Sequence, residues 1–419
     1  MADFHQPRFV PTLHALGTRR IRTDEVAARA RALGRSVTLV LPALAAEVDG
    51  PAFPRILRML ERTSLVDRLI VVLGRGTAAQ ERRAAELTAR VNTRVSLVRL
   101  GDPAVQQIEE RVAASGFECA STGKGHAIWV GINVALAGES SVIAMHDCDI
   151  LTYHPSLLTR LVAPLIVPET PFDFAKGYYP RVTTTMHGRV TRLLVTPLLR
   201  ALQDVGVRST LPAFLADFRY VLAGEVAFSR RLAETLPMHG GWGLEIGTLG
   251  EIYRRQRAFR PCQVDIADTY DHRHRPIGTG TAGDVTRMTD EILVTLIRLL
   301  RREHVACDPQ TIRYVLAQYR AEATRCVETY AADAAINGLE YDVESEATIT
   351  GVFSGAIEHC LGNGLCADLP VFPSWQQLRQ QAPDVCCAFA ELGESSDVVT
   401  HIAEPADDYY SDWSPAAAS

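Results

Sequence analysis

From residue 36 onward, short apolar runs of strand character alternate with helical patterns, and no other feature narrows the possible folds as much. The alternation predicts strands over residues 37–41, 69–73, 95–98 and 142–145, with helices over 53–61, 78–91, 105–114 and 126–137 between them. Repetition of this kind belongs to the α/β class, with a mostly parallel sheet covered by helices on both faces. Ligands of such sheets bind beyond the carboxyl ends of the strands. The loops at Pro42 and Gly74 and the segment Asp147-Cys148-Asp149 are expected to converge there.

The last of these strands, in Ser141-Val142-Ile143-Ala144-Met145-His146-Asp147-Cys148-Asp149, delivers two carboxylates one residue apart. Successive strand side chains point to opposite faces, so Asp147 and Asp149 can share one. Paired oxygens there suit a hard divalent cation such as Mg²⁺ or Mn²⁺, which in turn grips a diphosphate. After about residue 170 the pattern changes to a strand over 172–179 and helices over 189–202, 230–236 and 244–255. Two long amphipathic patterns over 284–333, divided at Asp308-Pro309, predict an α-helical extension.

A chain of 419 residues is long enough for one large α/β domain with an extension, or for two or three average domains. A net charge of −6 offers no electrostatic footprint for nucleic acid. No apolar run approaches the ~20 residues that span a bilayer, so no membrane partner is expected. Met1-Ala2-Asp3-Phe4-His5 lacks the layout of a signal peptide, and nine cysteines show no metal-type paired spacing. Reduced thiols and a cytoplasmic location are the expectation.

Four further segments carry chemistry. In Gly123-Lys124-Gly125, flanking glycines allow close backbone approach and the lysine supplies a point charge for phosphate. It is not a P-loop, since the spaced upstream glycine and the following Ser or Thr are missing. Tyr270-Asp271-His272-Arg273-His274-Arg275-Pro276 concentrates imidazoles and guanidiniums, able together to bind a metal and anionic oxygens. If extended, it places His272 and His274 on one face. Glu245, behind Gly240-Gly241-Trp242-Gly243, can accept hydrogen bonds from a sugar or orient an acceptor hydroxyl, or can simply favour a helix start. Backbone N–H groups at the helix start in Thr185-Met186-His187-Gly188-Arg189-Val190-Thr191 would make an anion site with Arg189 and Thr191.

These segments stand in an order that resembles the glucosyl-3-phosphoglycerate synthases: Leu41-Pro42-Ala43-Leu44, Gly123-Lys124-Gly125, Asp147-Cys148-Asp149, Gly188-Arg189-Val190-Thr191, Gly224-Glu225, Gly243-Leu244-Glu245-Ile246-Gly247 and His272-Arg273-His274-Arg275-Pro276. The resemblance spans residues 36 to 280. It implies a retaining glycosyltransferase of GT-A fold that moves glucose from a UDP or GDP sugar onto 3-phosphoglycerate or glycerate, as a homodimer; relatives use mannosyl donors. By the same resemblance Pro42, Ala43 and Leu44 line the nucleoside, and Lys124 and Arg275 bind the donor phosphates. Asp149 and His272 hold the Mg²⁺ or Mn²⁺, Asp147 faces the donor, Gly188, Arg189 and Thr191 hold the acceptor phosphate, and Glu245 lies near the sugar. Residues 1–170 then form the nucleotide-sugar half, 171–283 the acceptor and catalytic half, 284–400 the helical extension and 401–419 a flexible tail.

Two departures stand out. The family reads Pro-Ala-Leu-Asn-Glu-Glu where this chain has Ala45-Ala46-Glu47, and Asn where His274 stands. The missing carboxylate at Ala46 leaves the donor base open. A phosphohydrolase of the haloacid dehalogenase type also places Asp-x-Asp after an apolar strand, but it wants Thr or Val where Leu151 stands and opens its domain with the motif. A nonenzymatic glycosyltransferase-like binding protein is the other rival, disfavoured by the intact Lys124, Asp147, Asp149 and His272.

Overall fold

A computed structural model describes residues 6–16, 21–119, 123–271, 282–305, 308–362 and 369–398. The strands are β1 (Thr12–Leu13), β2 (Val37–Ala43), β3 (Arg68–Leu73), β4 (Arg94–Arg99), β5 (Val142–Met145), β6 (Phe174–Tyr178), β7 (Val226–Ser229), β8 (Met238–His239), β9 (Pro261–Asp265), β10 (Val371–Phe372) and β11 (Asp397–Val398). The first half carries helices α1 (Thr23–Ala32), α2 (Ala52–Leu60), α3 (Ala78–Thr88), α4 (Pro103–Ala114), α5 (Lys124–Ala137) and α6 (Pro155–Ile166). Next come α7 (Thr196–Asp204), α8 (Leu211–Ala216), α9 (Arg230–Ala233) and α10 (Leu244–Arg255). The C-terminal helices are α11 (Ala282–Arg302), α12 (Pro309–Ile336), α13 (Val343–Gly362), α14 (Trp375–Gln381) and α15 (Pro383–Ser395).

Nine strands form one sheet in the order β1-β9-β6-β7-β5-β2-β3-β4-β11. All pairs are parallel except those of β7 with its two neighbours and of β11 with β4. Every residue of β3 is buried, as a strand covered on both faces requires. Val40, Ile70, Val72, Ile143 and Met145 join the core on one face, while Leu39, Leu41, Leu69, Val71 and Ala144 join the core on the other. That is the period of two expected of strands. The α/β expectation, mostly parallel with C-terminal helices, therefore holds.

Register places the site. Val40 pairs with Met145, so two residues further on Pro42 is level with Asp147. The antiparallel β7 puts Val226 opposite Met145, which carries Gly224, two residues earlier, to the same edge. Gly131 lets α5 ride close on the sheet, since a Cβ there would meet Val40 Cγ1 at 2.6 Å and Val72 Cγ2 at 2.9 Å. The helix is buried on nearly every side because α15 covers its outer surface.

Several elements differ from the sequence expectation. The helix expected over 189–202 is a π-helix, Val190–Val195, running into α7. The one expected over 230–236 shortens to α9. Strands β7 and β9 and helices α1, α6 and α13 were not legible; β9, Pro261-Cys262-Gln263-Val264-Asp265, mixes polar residues into its run. No described helix is long and apolar enough to cross a membrane.

Candidate active site

Beyond β5 the burial pattern keeps alternating: His146, Cys148 and Ile150 are buried, and Asp147 and Asp149 are partly exposed. The two aspartates thus share the face that sequence periodicity assigned to them. His146 packs edge-on against Tyr153 with ring centroids 5.6 Å apart, and burial lowers its pKa to about 4, so the loop is anchored by a neutral ring. Gly224 crowds the Asp147 carboxylate, since a Cβ there would stand 2.5 Å from Oδ2. Burial, then the charge of Asp147, raises the pKa of Asp149 to about 7; Lys124 opposes this, and Glu225 and Glu47 add to it.

Lys124 opens α5 behind Gly123, whose φ of +90° is one that L side chains rarely adopt. Its Nζ lies 2.6 Å from Asp147 Oδ1 and 3.0 Å from Glu245 Oε1. Burial disfavours the ammonium, but those two carboxylates outweigh it and hold the pKa well above the ordinary lysine value. Glu245 sits in the first turn of α10, where a carboxylate also suits the helix end. Gly125 allows the two segments to meet, because a Cβ there would lie 2.3 Å from the His239 carbonyl oxygen. Trp242 is 47% exposed beside them, so it is not a core side chain.

Lys176 and Tyr179 under this cluster escaped the sequence reading, which quoted Glu225 and Tyr270 without giving either a role. The buried Lys176 donates to the Ala223 carbonyl at 2.6 Å, and burial lowers its pKa to about 8. Buried Glu225 accepts from the hydroxyls of Tyr179 and Tyr270, whose rings stack at 3.6 Å. For Lys176 the signal available was a single charge inside a short apolar strand pattern, which rarely occurs buried without a function or a partner. Asp271 then ties the chain to the loop after Asp149: its carbonyl accepts from Leu151 N at 2.8 Å, and its N–H donates to Thr152 Oγ1 at 3.0 Å. The candidate residues His272 and Arg275, with His274 and the tail over 401–419, lie outside the described residues. Among the described residues, no group of three or more His, Cys, Asp or Glu side chains could hold a metal.

At the ends of β2 and β3, Pro42 is half-buried, Ala43 buried and Leu44 56% exposed. Gly74 approaches Ala43 and Leu44, so these loops converge as expected. Ala46 is exposed, while Glu47 is buried and contributes to the charge felt by Asp149.

Across the site, a turn closed by a bridge between Val182 and Met186 leads to Gly188, at φ +76°. Arg189 follows, its Nε donating to Glu346 Oε1 at 2.5 Å, with half-buried Thr191 two residues on. Arg181, also not anticipated, donates to Tyr220 Oη at 2.6 Å, and its Nη1 lies 4.0 Å from the Cβ position of Gly188. Tyr220 meets Tyr179 edge-on at 5.3 Å, linking this turn to Glu225 and the acid loop.

No family model matches the chain. Over 388 residues it is 33% identical to the glucosyl-3-phosphoglycerate synthase of Persephonella marina, covering 92% of this chain and 96% of that one. The enzyme of the same name from Methanococcoides burtonii is 31% identical over 392 residues, 91% of this chain and 95% of its own. Among solved structures, glucosyl-3-phosphoglycerate synthase from Mycobacterium tuberculosis with Mn²⁺, UDP-glucose and phosphoglyceric acid superposes with a TM-score of 0.53 at 27% identity. That match covers 72% of this chain and 90% of the other. The same enzyme with Mg²⁺ and UDP gives 0.51 at 27% identity, over 69% and 85% of the two chains.

Proposed function

The chain belongs to the glucosyl-3-phosphoglycerate synthase family of glycosyltransferases, and from that premise we propose that it transfers glucose from UDP-glucose to 3-phosphoglycerate with retention, using Mn²⁺ or Mg²⁺. The observation that carries the reading is Lys124, held between Asp147 and Glu245 beside Asp149, at the edge where β2 and β5 end. The M. tuberculosis relative binds UDP-glucose with Mn²⁺ and phosphoglyceric acid, which supports the choice of donor and acceptor.

The residues fit a divalent cation. Asp149 lies in surplus negative charge from Asp147, Glu225 and Glu47, with Lys124 as the opposing cation, and it is partly exposed where a metal would reach it. His272 would be the second protein ligand, and the bonds of Asp271 to Leu151 and Thr152 support that pairing. The bound ion would neutralise the diphosphate as it departs. Asp147, oriented by Lys124 and Gly224, faces the donor sugar, while Lys124 and Arg275 hold the phosphates. Pro42, Ala43 and Leu44 line the nucleoside. Gly188, Arg189 and Thr191 grip the acceptor's phosphate and so orient its 2-hydroxyl. Glu245 accepts a hydrogen bond from the sugar or acceptor. The hydroxyl attacks on the face the diphosphate leaves, and its proton passes to the departing oxygen.

The helical extension would carry a homodimer contact, supported by exposed Tyr314, Ile336, Val343 and Val352. Free thiols at the described cysteines support a reducing, cytoplasmic setting.

A donor-by-acceptor panel tests the assignment: UDP-, GDP- and ADP-glucose and GDP-mannose against 3-phosphoglycerate and glycerate, with and without divalent ion. Metal-dependent transfer from UDP-glucose to 3-phosphoglycerate is expected to be fastest. The exposed Ala46 lacks the family's carboxylate, so the GDP- and ADP-glucose arms read how far the chain discriminates the donor base. Preference for GDP-mannose, or for glycerate, would replace the assignment.

A further inference from the structure

Glu346, in the first turn of α13, is a carboxylate only 3% exposed, set against two arginines from the turn that precedes α7. Arg189 Nε donates to its Oε1 at 2.5 Å, and Arg192 Nη2 lies 3.1 Å from its Oε2. The docking extends beyond the side chains. Glu340 N donates to the Thr184 carbonyl at 2.9 Å, and Thr185 forms a bridge with Glu340. Asp342 caps α13 through Ser345 N at 2.9 Å, which fixes the turn that carries Glu346.

The two arginines are used differently. Arg192 is buried, donates to the His187 and Met186 carbonyls, and lies 4.7 Å over the Tyr330 ring, so it is committed to structure. The Arg189 side chain is 28% exposed and meets Glu346 through Nε alone among the described contacts. A guanidinium held by Nε keeps its Nη1–Nη2 edge for a second, end-on pair of hydrogen bonds, the geometry that matches a phosphate. An open cleft on the α13 side of Arg189 is lined by Asp342, Glu344, Ser345 and Thr348. Arg189 also lines this cleft, whose acidic rim disfavours an anion, while Arg181, 4.0 Å from the Cβ position of Gly188, adds positive charge beside Gly188.

We propose that Glu346 is a positioning residue for the acceptor: by fixing Arg189 through Nε, it presents the guanidinium edge to the acceptor's phosphate, so the C-terminal helices complete the acceptor site. The inference rests on the reading of Arg189 as an acceptor ligand. An arginine immobilised in advance has less rotamer freedom left to lose when the anion binds, and releasing it should weaken binding about tenfold.

The test is steady-state kinetics of Glu346→Gln, Glu346→Asp and Arg189→Ala, with 3-phosphoglycerate and UDP-glucose varied in turn and melting temperatures recorded alongside. Glu346→Gln should raise the acceptor KM about tenfold, leave the donor KM unchanged, and add nothing when combined with Arg189→Ala. Glu346→Asp keeps the charge but shortens the reach, so it should raise the acceptor KM as well. An unchanged or lowered acceptor KM in folded Glu346→Gln overturns the inference. If Arg189→Ala itself leaves the acceptor KM unchanged, the acceptor assignment falls instead. If Glu346→Gln is unstable, calorimetric titration of 3-phosphoglycerate into folded Glu346→Asp decides, and wild-type affinity there overturns the inference.

Discussion

The acid loop at the sheet edge and the arginine turn before α7 both hold like charges together, and they do so by opposite means. In the first, Asp147, Asp149, Glu225 and Glu245 interact with the ammoniums of Lys124 or Lys176, and Glu47 adds its charge at Asp149. The surplus is negative, and it is held by rigid strand ends, a glycine and a helix start. In the second, Arg189 and Arg192 converge on the one carboxylate of Glu346, two cations to one anion within the bonded group, held by a side chain 157 positions from Arg189 in sequence. A surplus of either sign is costly to bury unless something of opposite sign arrives. On the proposed function, the first region would receive a cation and the second an anion: a metal-bound diphosphate on one side and a phosphorylated acceptor on the other.

The largest expected effect comes from taking one charge out of the acid loop. Asp149→Asn keeps the shape and removes the proposed metal-binding oxygen charge. It should weaken Mn²⁺ binding about a hundredfold and lower kcat/KM by roughly three orders of magnitude, about 4 kcal/mol of transition-state stabilisation. Without metal, the same variant should melt higher than wild type, because Asp149 no longer repels Asp147, Glu225 and Glu47. Calorimetric Mn²⁺ titration in the presence of UDP, with a thermal melt, reads both. Undiminished Mn²⁺ affinity would mean that the negative surplus is structural and that the two regions are not counterparts.

The contrast also explains what could be read without a structure. Strand β5 and helix α10 match their expected bounds because an apolar run and a helical period are local properties. The shared face of Asp147 and Asp149 followed from the same periodicity. The approach of Lys124 to Glu245, 121 residues apart, is set by how α5 and α10 pack, and only their flanking glycines hinted at it. Lys176 was not legible because a lone charge in a short strand pattern resembles a solvent-facing residue, and Glu225, quoted beside Gly224, shows its place only through its bonds to Tyr179 and Tyr270. Glu346 was further out of reach: it lies outside the segment that carries the motifs, in a helix the pattern did not reveal.

An intermediate effect should come from a backbone position. Gly224→Ala would drive a methyl into the Asp147 carboxylate, which cannot swing away freely because Lys124 holds it at 2.6 Å. Loss of about tenfold to a hundredfold in kcat/KM for the donor is expected, with the acceptor KM little changed, since a small misplacement at a reacting centre costs about that much. An equal rise in both KM values would show that the two regions respond as one unit.

The smallest effect concerns stability and isolates the cost of the buried lysine. Lys176 has a folded pKa of about 8 against an ordinary 10.5, so between those values the unfolded chain binds more protons than the folded one. Folding stability should therefore rise across that interval, because the burial penalty on the ammonium, present at lower pH, disappears as the native lysine deprotonates. The shift bounds the gain at roughly 3 kcal/mol. Lys176→Met should lack that rise when melts are compared from pH 7 to 10. At pH 7 the net change should be within about 1–2 kcal/mol, because removal of the buried charge is offset by loss of the bond to the Ala223 carbonyl. If the variant and the wild type keep a constant separation over that range, Lys176 holds its charge by pairing with Glu245 and Glu225, and the acid loop is better neutralised than its surplus of carboxylates implies.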